Sequence, residues 1–208
     1  YSALLPYVNH REDLNYIIGE MIAELNVGHA YVNGGDVPSV ESTAIGVLGA
    51  ELVKHSSGYY QIKHILKGVS WDESLRSPLN EPGLNLKAGM YIIAVNGRPV
   101  NAVHSIYELL INTVNKQTEL TVNTLPQEKD SRKVIVKPIA SEQALVYYNW
   151  VQKNIEMVAK ATNGEVGYLH VPNMLSSGLN EFSKHFFAQL DKKALIIDNR
   201  INGGGNVS

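Results

Sequence analysis

"ALIIDNRINGGGNVS", Ala194 to Ser208, is a short apolar run that breaks into an acid, a base and three consecutive glycines. The run reads as a buried strand ending at Asp198. Upstream, "EVGYLHV" (Glu165–Val171) reads as a second strand, and between them "LNEFSKHFFAQL" puts Leu179, Phe182, Phe186 and Leu190 on one helical face. Strand, helix, strand is a βαβ unit. Its strands should be parallel and joined by a right-handed crossover, with both faces covered, because neither alternates apolar with polar.

In open α/β sheets, sites gather beyond the carboxyl ends of the strands, where "NRINGGGN" falls. Three glycines strip the backbone of side chains, so a ligand can approach its N–H groups. Three uses are open. The loop could hold a phosphate at the start of a following helix, supply donors to a developing oxyanion, or simply turn the chain. The phosphate use fits least well. Gly203, Gly205 and Ser208 meet G-x-G-x-x-G only with Ser in the third glycine place, and four residues separate Asp198 from the first glycine. Asp198 and Arg200 read as a pair holding the loop.

Before the βαβ unit, "SEQALVYYNWVQKNIEMVAKA" spaces Ala144, Tyr148, Val151, Ile155 and Val158 as one stripe of a long helix. From about Val37 to Pro138 the pattern is strand-rich. "STAIGVLGAELV" and "GYYQIKHIL" meet at a "KHSSG" hairpin, "MYIIAVNGRPV" runs into an Asn-Gly turn, and "TELTVNTL" and "RKVIVKPI" complete a sheet. "VHSIYELLINTV" predicts one helix among them, with Val103, Ile106, Tyr107, Leu110, Ile111 and Val114 inward, and "KGVSWDESLRSPLNEPG" predicts a long surface loop. At the amino end Leu14, Ile17, Ile18, Met21, Ile22 and Leu25 form a helical stripe. Asn9 and Glu12 suit a capping box, and Gly28 suits a left-handed carboxyl cap from which His29 enters a short "AYV" strand and the "NGGD" turn.

The fold class is therefore multidomain, α+β with an α/β part: a helical segment over 1–36, a strand-rich domain over 37–140, and an incomplete βαβ-containing portion over 141–208. The 208 residues carry a net charge of −2 and 18% charged residues, so no basic footprint for nucleic acid appears. No apolar run reaches the roughly 18 residues that span a bilayer, which predicts a soluble chain. Cysteine is absent, removing thiolate chemistry, and the seven histidines include no H-E-x-x-H and no i, i+4 pair. Neither a metal nor another cofactor is expected.

Three motifs in this order, "ELNVGHAYV" (Glu24–Val32), "RSPLNEPGLNLKAGMYIIAVNGRPV" (Arg76–Val100) and "YNWV…VGYLHVPNM…LNEF…LIIDNRINGGGNVS", resemble the tricorn proteases, the tail-specific serine peptidases with an internal PDZ domain. The resemblance spans essentially the whole chain. It implies a serine peptidase that hydrolyses peptides or unfolded polypeptides through an acyl-enzyme. His29 matches the family's general base, and the domain over 37–140 is then the PDZ. Gly28 departs from the Ser that precedes this His, and Met90 departs from the Asp that follows the Gly in "KAGM".

The glycine loop matches the element that offers a backbone N–H to the tetrahedral intermediate, with Gly205 the first candidate and Gly204 the second. Gly46, Val47, Leu48 and Gly49 in "AIGVLGAEL" resemble a PDZ carboxylate-binding loop. The nucleophilic serine is expected beyond residue 208; Ser208 itself lacks the Gly-x-Ser-x-Gly elbow. The resemblance further implies a large homo-oligomer, with a hexamer the expected size, and a cytoplasmic location, exported members also being conceivable. The alternative is a non-catalytic PDZ peptide-binding or scaffold module.

Overall fold

A computed structural model describes residues 1–69 and 71–205. The chain forms two units, Tyr1–Ser42 and Thr43–Ser208.

In the first unit a 3₁₀ turn over Ser2–Tyr7 precedes helix α1, Arg11–Ala23. The cap sits one residue later than the spacing of Asn9 and Glu12 suggests. The His10 ring accepts the Asp13 N–H, satisfying one orphan donor of the first turn, while the Asp13 carboxylate accepts the Asn9 N–H at 2.9 Å and ties down the residue before the cap. The helix ends at Ala23, and Asn26 (φ 51°), not Gly28, makes the left-handed turn. "AYV" forms no strand. Instead Val32 lies near α1, 3.6 Å from where a Cβ on Gly19 would stand. The Gly34 carbonyl accepts from Asn15 Nδ2 at 3.0 Å, and the Arg11 guanidinium fills the space a Cβ on Gly35 would need.

The second unit opens with a six-stranded antiparallel sheet: β1 (Ala50–Lys54), β2 (Tyr60–Ile65), β3 (Tyr91–Val95), β4 (Arg98–Pro99), β5 (Thr118–Asn123) and β6 (Arg132–Val136). The order is β1-β2-β3-β5-β6, with β4 on β3. The hairpin at His55–Tyr59 forms, closed by the His55 N–H on the Tyr59 carbonyl at 2.8 Å. Asn96 and Gly97 both take positive φ, 47° and 74°, as a two-residue hairpin turn demands. Ile62, Ile92, Leu110, Leu120 and Val122 are fully buried between the sheet and its connections, each contributing roughly 1.5–3 kcal/mol.

Two expectations for this part change. The helix over Val103–Val114 is only a five-residue 3₁₀ turn, Ile106–Leu110, capped by a Ser105–Glu108 box. Ile111 is drawn out of the turn to bridge Ile45, and Asn112 turns left-handed behind it (φ 58°), so the stripe cannot continue as a helix. The loop after β2 is not all surface either. Leu79 is buried, and Ser77 Oγ, also buried, donates to the Leu66 carbonyl at 2.6 Å.

Helix α2 (Gln143–Ala161) follows and docks on the sheet unit. Asn149 bonds both the N–H and the carbonyl of Lys67, and the Leu145 side chain lies against Gly49. Val151 and Val158 of the stripe read in the sequence are buried, Tyr148 and Ile155 are half-buried and Ala144 is exposed, while Leu145 and Asn154 are buried beside them, so the inward face is turned slightly from that stripe. Strand β7 (Val166–His170), helix α3 (Ser176–Phe187) and strand β8 (Ala194–Asp198) complete the βαβ unit, with parallel register from Val166–Ala194 to His170–Asp198. Coverage is lopsided. Ile196 and Ile197 on β8, and Leu179 and Leu190 about α3, stay exposed among the described residues, against the expectation that both faces would be covered. Among the described residues, no helix is long and apolar enough to cross a membrane.

Candidate functional site: the glycine loop and its supports

Beyond β8 the chain passes through Asn199–Gly205 against the segment that leaves β7, and the two are laced together. The Val171 N–H meets the Asp198 carbonyl (2.9 Å), Asn202 Nδ2 the Val171 carbonyl (2.8 Å), the Gly203 N–H the Pro172 carbonyl (2.9 Å), and the Met174 N–H the Gly204 carbonyl (2.7 Å). A loop with three glycines has no bulk of its own to define its shape, so these bonds supply the order.

They also separate the two donor candidates. The Gly204 N–H is already held by Asn202 Oδ1 at 2.8 Å. The Gly205 N–H has no acceptor among the described residues. Glycine is required there for a steric reason, because a Cβ would stand 2.5 Å from the Met174 carbonyl oxygen. Gly204 needs glycine for its φ of 75°, with open space around it. Ser208 lies outside the described residues.

At the root of the loop Asp198 and Arg200 pair as the sequence suggests. Arg200 Nε reaches both carboxylate oxygens (3.0 and 2.9 Å) and the Arg200 N–H takes one of them at 2.9 Å. Tyr168, its hydroxyl fed by Asn154, donates to the same carboxylate at 2.6 Å. The Arg200 fork, with burial opposing it and Tyr168 adding to it, holds the Asp198 carboxyl well below the usual carboxylate range. Next in line, Ile201 has φ 60° and is 92% exposed. A β-branched residue in the left-handed region costs about 1–2 kcal/mol, so surrounding contacts impose this bend.

One of those contacts comes from His170, at the end of β7 and 3% exposed. Its Nε2 lies 2.7 Å from the Arg200 carbonyl, and its Nδ1 lies 3.0 Å from the Tyr147 hydroxyl on α2. A carbonyl only accepts, so Nε2 carries the proton and Nδ1 receives the Tyr147 O–H. Burial, reinforced by Glu181, pushes the Tyr147 hydroxyl up to about 12, so it remains a donor at neutral pH. Trp150 packs edge-on against His170, and the Arg200 guanidinium lies 5.5 Å from the Trp150 ring centre. Tyr147, Trp150, Val47, Val146 and Ile201 line a cavity of about 730 Å3. A second cavity, about 610 Å3, opens beside Met174, Leu179, Phe182 and Ile197.

In the carboxylate-loop candidates the donors divide. The Gly46 N–H goes to the Leu110 carbonyl (2.9 Å) and the Val47 N–H to the Ile139 carbonyl (2.8 Å). Gly46 is glycine because Thr113 and Pro138 leave no room for a Cβ. Leu48 is buried in the core. Gly49 has φ 67°, the bend that turns successive N–H groups to one side. The N–H groups of Gly49 and Ala50 face the carboxylate of Glu142, the residue before α2. Burial raises the Glu142 carboxyl, and those two donors oppose the rise.

Comparison with known proteins places this arrangement. The family profile of the tricorn protease PDZ domain matches residues 46–141. Across its full length the chain is 34% identical to a tricorn protease homolog of Saccharolobus solfataricus and 33% identical to a tricorn protease of Thermoplasma volcanium. The crystal structure of the tricorn protease superposes on 98% of the chain with a TM-score of 0.86 at 27% identity. Over its whole length the chain is similar to the tricorn proteases, and its residues 46–141 match their PDZ domain. It spans about a fifth of the length of the relatives it matches, 19% and 20% of the two named.

Within this tricorn-like chain the six-stranded sheet falls in the matched PDZ domain, and Glu142 lies one residue beyond the matched range. His29 belongs to the first unit, where it is exposed with φ 64°. The glycine loop belongs to the second. Met90, the other departure from the family pattern, packs against the PDZ core, and its carbonyl takes the Ile62 N–H at 2.8 Å. Sequence reading missed Tyr147, His170, Asn202 and Glu142 as supports of these loops. Its one available signal was a histidine ending an otherwise apolar strand, in a place matched by Asp198 on the neighbouring strand.

Proposed function

We propose that the chain supplies the general base and oxyanion donor of a serine peptidase acting on peptides or unfolded polypeptides. His29 takes the proton of a serine lying outside these 208 residues. The Gly205 N–H stabilises the oxyanion of the tetrahedral intermediate, and an acyl-enzyme follows. The observation that carries this reading is the Gly205 N–H, without an acceptor among the described residues, directly after the Asn202, Gly203 and Gly204 N–H groups, which all have one. Glycine at 205 lets this donor lie against the Met174 carbonyl, where a Cβ would collide, so the backbone there is placed by close packing and not by a slack turn. The similarity to tricorn proteases and the cavity beside Met174, suited to an apolar side chain of a peptide, support it. A large homo-oligomer, a hexamer by family resemblance, belongs to the same proposal.

The test is labelling of the full-length protein with an active-site fluorophosphonate. His29→Ala should abolish labelling while leaving the fold intact. Labelling that survives at the wild-type rate removes His29 from the mechanism.

A further inference from the structure

The glycine loop poses a problem its own sequence cannot solve. A donor to a developing oxyanion is useful only if it is aimed before the charge appears, and "NGGG" offers no side-chain bulk to aim it. Most of the lacing described above joins backbone to backbone in the segment after β7. His170 is different. It is a buried side chain whose Nε2–H grips the Arg200 carbonyl, next to the left-handed bend at Ile201. Asn202 grips the other side of that bend through the Val171 carbonyl and the Gly204 N–H. The bend is thus clamped before and after, and the direction of the Gly203–Gly205 peptides follows from it.

The His170 ring is itself fixed. Tyr147, from α2, donates to Nδ1 and settles the tautomer, and Trp150 packs edge-on against the ring. Both nitrogens are engaged, so His170 has none to offer a substrate. Its chemistry is that of an orienting donor, the part a second layer of hydrogen bonds plays behind metal ligands and triad histidines.

We infer that His170, oriented by Tyr147, is a positioning residue that holds the glycine loop in the shape that aims the Gly205 N–H. The inference rests on the oxyanion reading of Gly205. It couples the loop to α2, the helix that also carries the Leu145 and Asn149 contacts to the PDZ domain.

The experiment compares His170→Leu, His170→Gln, His170→Asn and Tyr147→Phe in the full-length protein. Steady-state kinetics on a peptide substrate are paired with the affinity of a peptide boronate, which mimics the tetrahedral intermediate. Gln carries its amide N–H at about the reach of Nε2, and Asn only at that of Nδ1. His170→Leu and His170→Asn should lower kcat about 10–100-fold with KM within about twofold, and weaken the boronate in proportion. His170→Gln should recover kcat to within about fivefold, and Tyr147→Phe should fall between.

Wild-type kcat in His170→Leu, or an equal loss in Gln and Asn, overturns the inference. Should His170→Leu fail to fold, the Gln and Asn pair decides alone. Gly205→Ala is the control: if it leaves kcat unchanged, the oxyanion reading has failed; if it abolishes turnover while the His170 variants do not, only the positioning role has.

Discussion

The carboxylate of Asp198, buried at the end of β8, is held in a two-pronged grip by the guanidinium of Arg200, which is itself mostly exposed. Its charged form is favoured in the folded state, so its folded pKa lies below the ordinary value of about 3.9. The pair's stabilisation is present above that value and is lost as pH falls through the folded pKa. Asp198→Asn should cost about 2–3 kcal/mol at pH 7, discounted from a fully buried pair because Arg200 meets water. Thermal unfolding of wild type and variant should differ by roughly 4–12 °C at pH 7, the gap narrowing below about pH 4. A gap independent of pH would show that the charge pair is not its source.

Gly204 and Gly205 should respond differently to the same added methyl group. Gly204→Ala meets no atoms but holds φ 75°, so it should cost about 1 kcal/mol of stability and keep most of the turnover. Gly205→Ala collides with the Met174 carbonyl and should lower kcat by about 10²–10³-fold. Chemical denaturation and kcat measured on both variants check this, and the reverse order would exchange the donor assignment.

Glu142 faces the Gly49 and Ala50 N–H groups, and if the loop takes a peptide carboxylate as its resemblance to a PDZ carboxylate loop implies, Glu142 competes for those donors. Glu142→Ala should raise the affinity for a peptide with a free carboxyl end about tenfold or more and leave an amidated peptide unchanged. Because burial raises the Glu142 pKa, acidification neutralises it before a peptide carboxylate of pKa about 3.3–3.7. Wild-type binding should therefore strengthen towards mildly acidic pH, and the alanine variant should lose that dependence. Calorimetric titration at two pH values gives both readings.

Ile201 is strained yet almost entirely exposed. Replacing it with Asn, which tolerates the left-handed region, should stabilise the protein by about 1 kcal/mol, a rise in Tm of about 2–4 °C. A fall in Tm would mean that the side chain is covered in the whole protein.

Much of the local architecture is legible in the amino-acid sequence alone. Parallel β7 and β8 show in two apolar runs separated by a helical period, and the β1–β2 hairpin and Asn96–Gly97 turn show in local turn chemistry. These elements depend on residues close in sequence, and neighbouring preferences suffice. The glycine triplet likewise signals a close approach of backbone to something.

What that something is depends on the fold. The Met174 carbonyl explains Gly205, the Thr113 and Pro138 side chains explain Gly46, and neither is local. The 103–114 stripe has a helical period, but Ile111 pairs instead with the distant Ile45. His170, Tyr147 and Arg200 come from a strand, a helix and a loop whose convergence no spacing encodes. Local periodicity reports which face a residue turns to the core. Which donor is used and which is left free is settled only when distant carbonyls and side chains arrive to claim them.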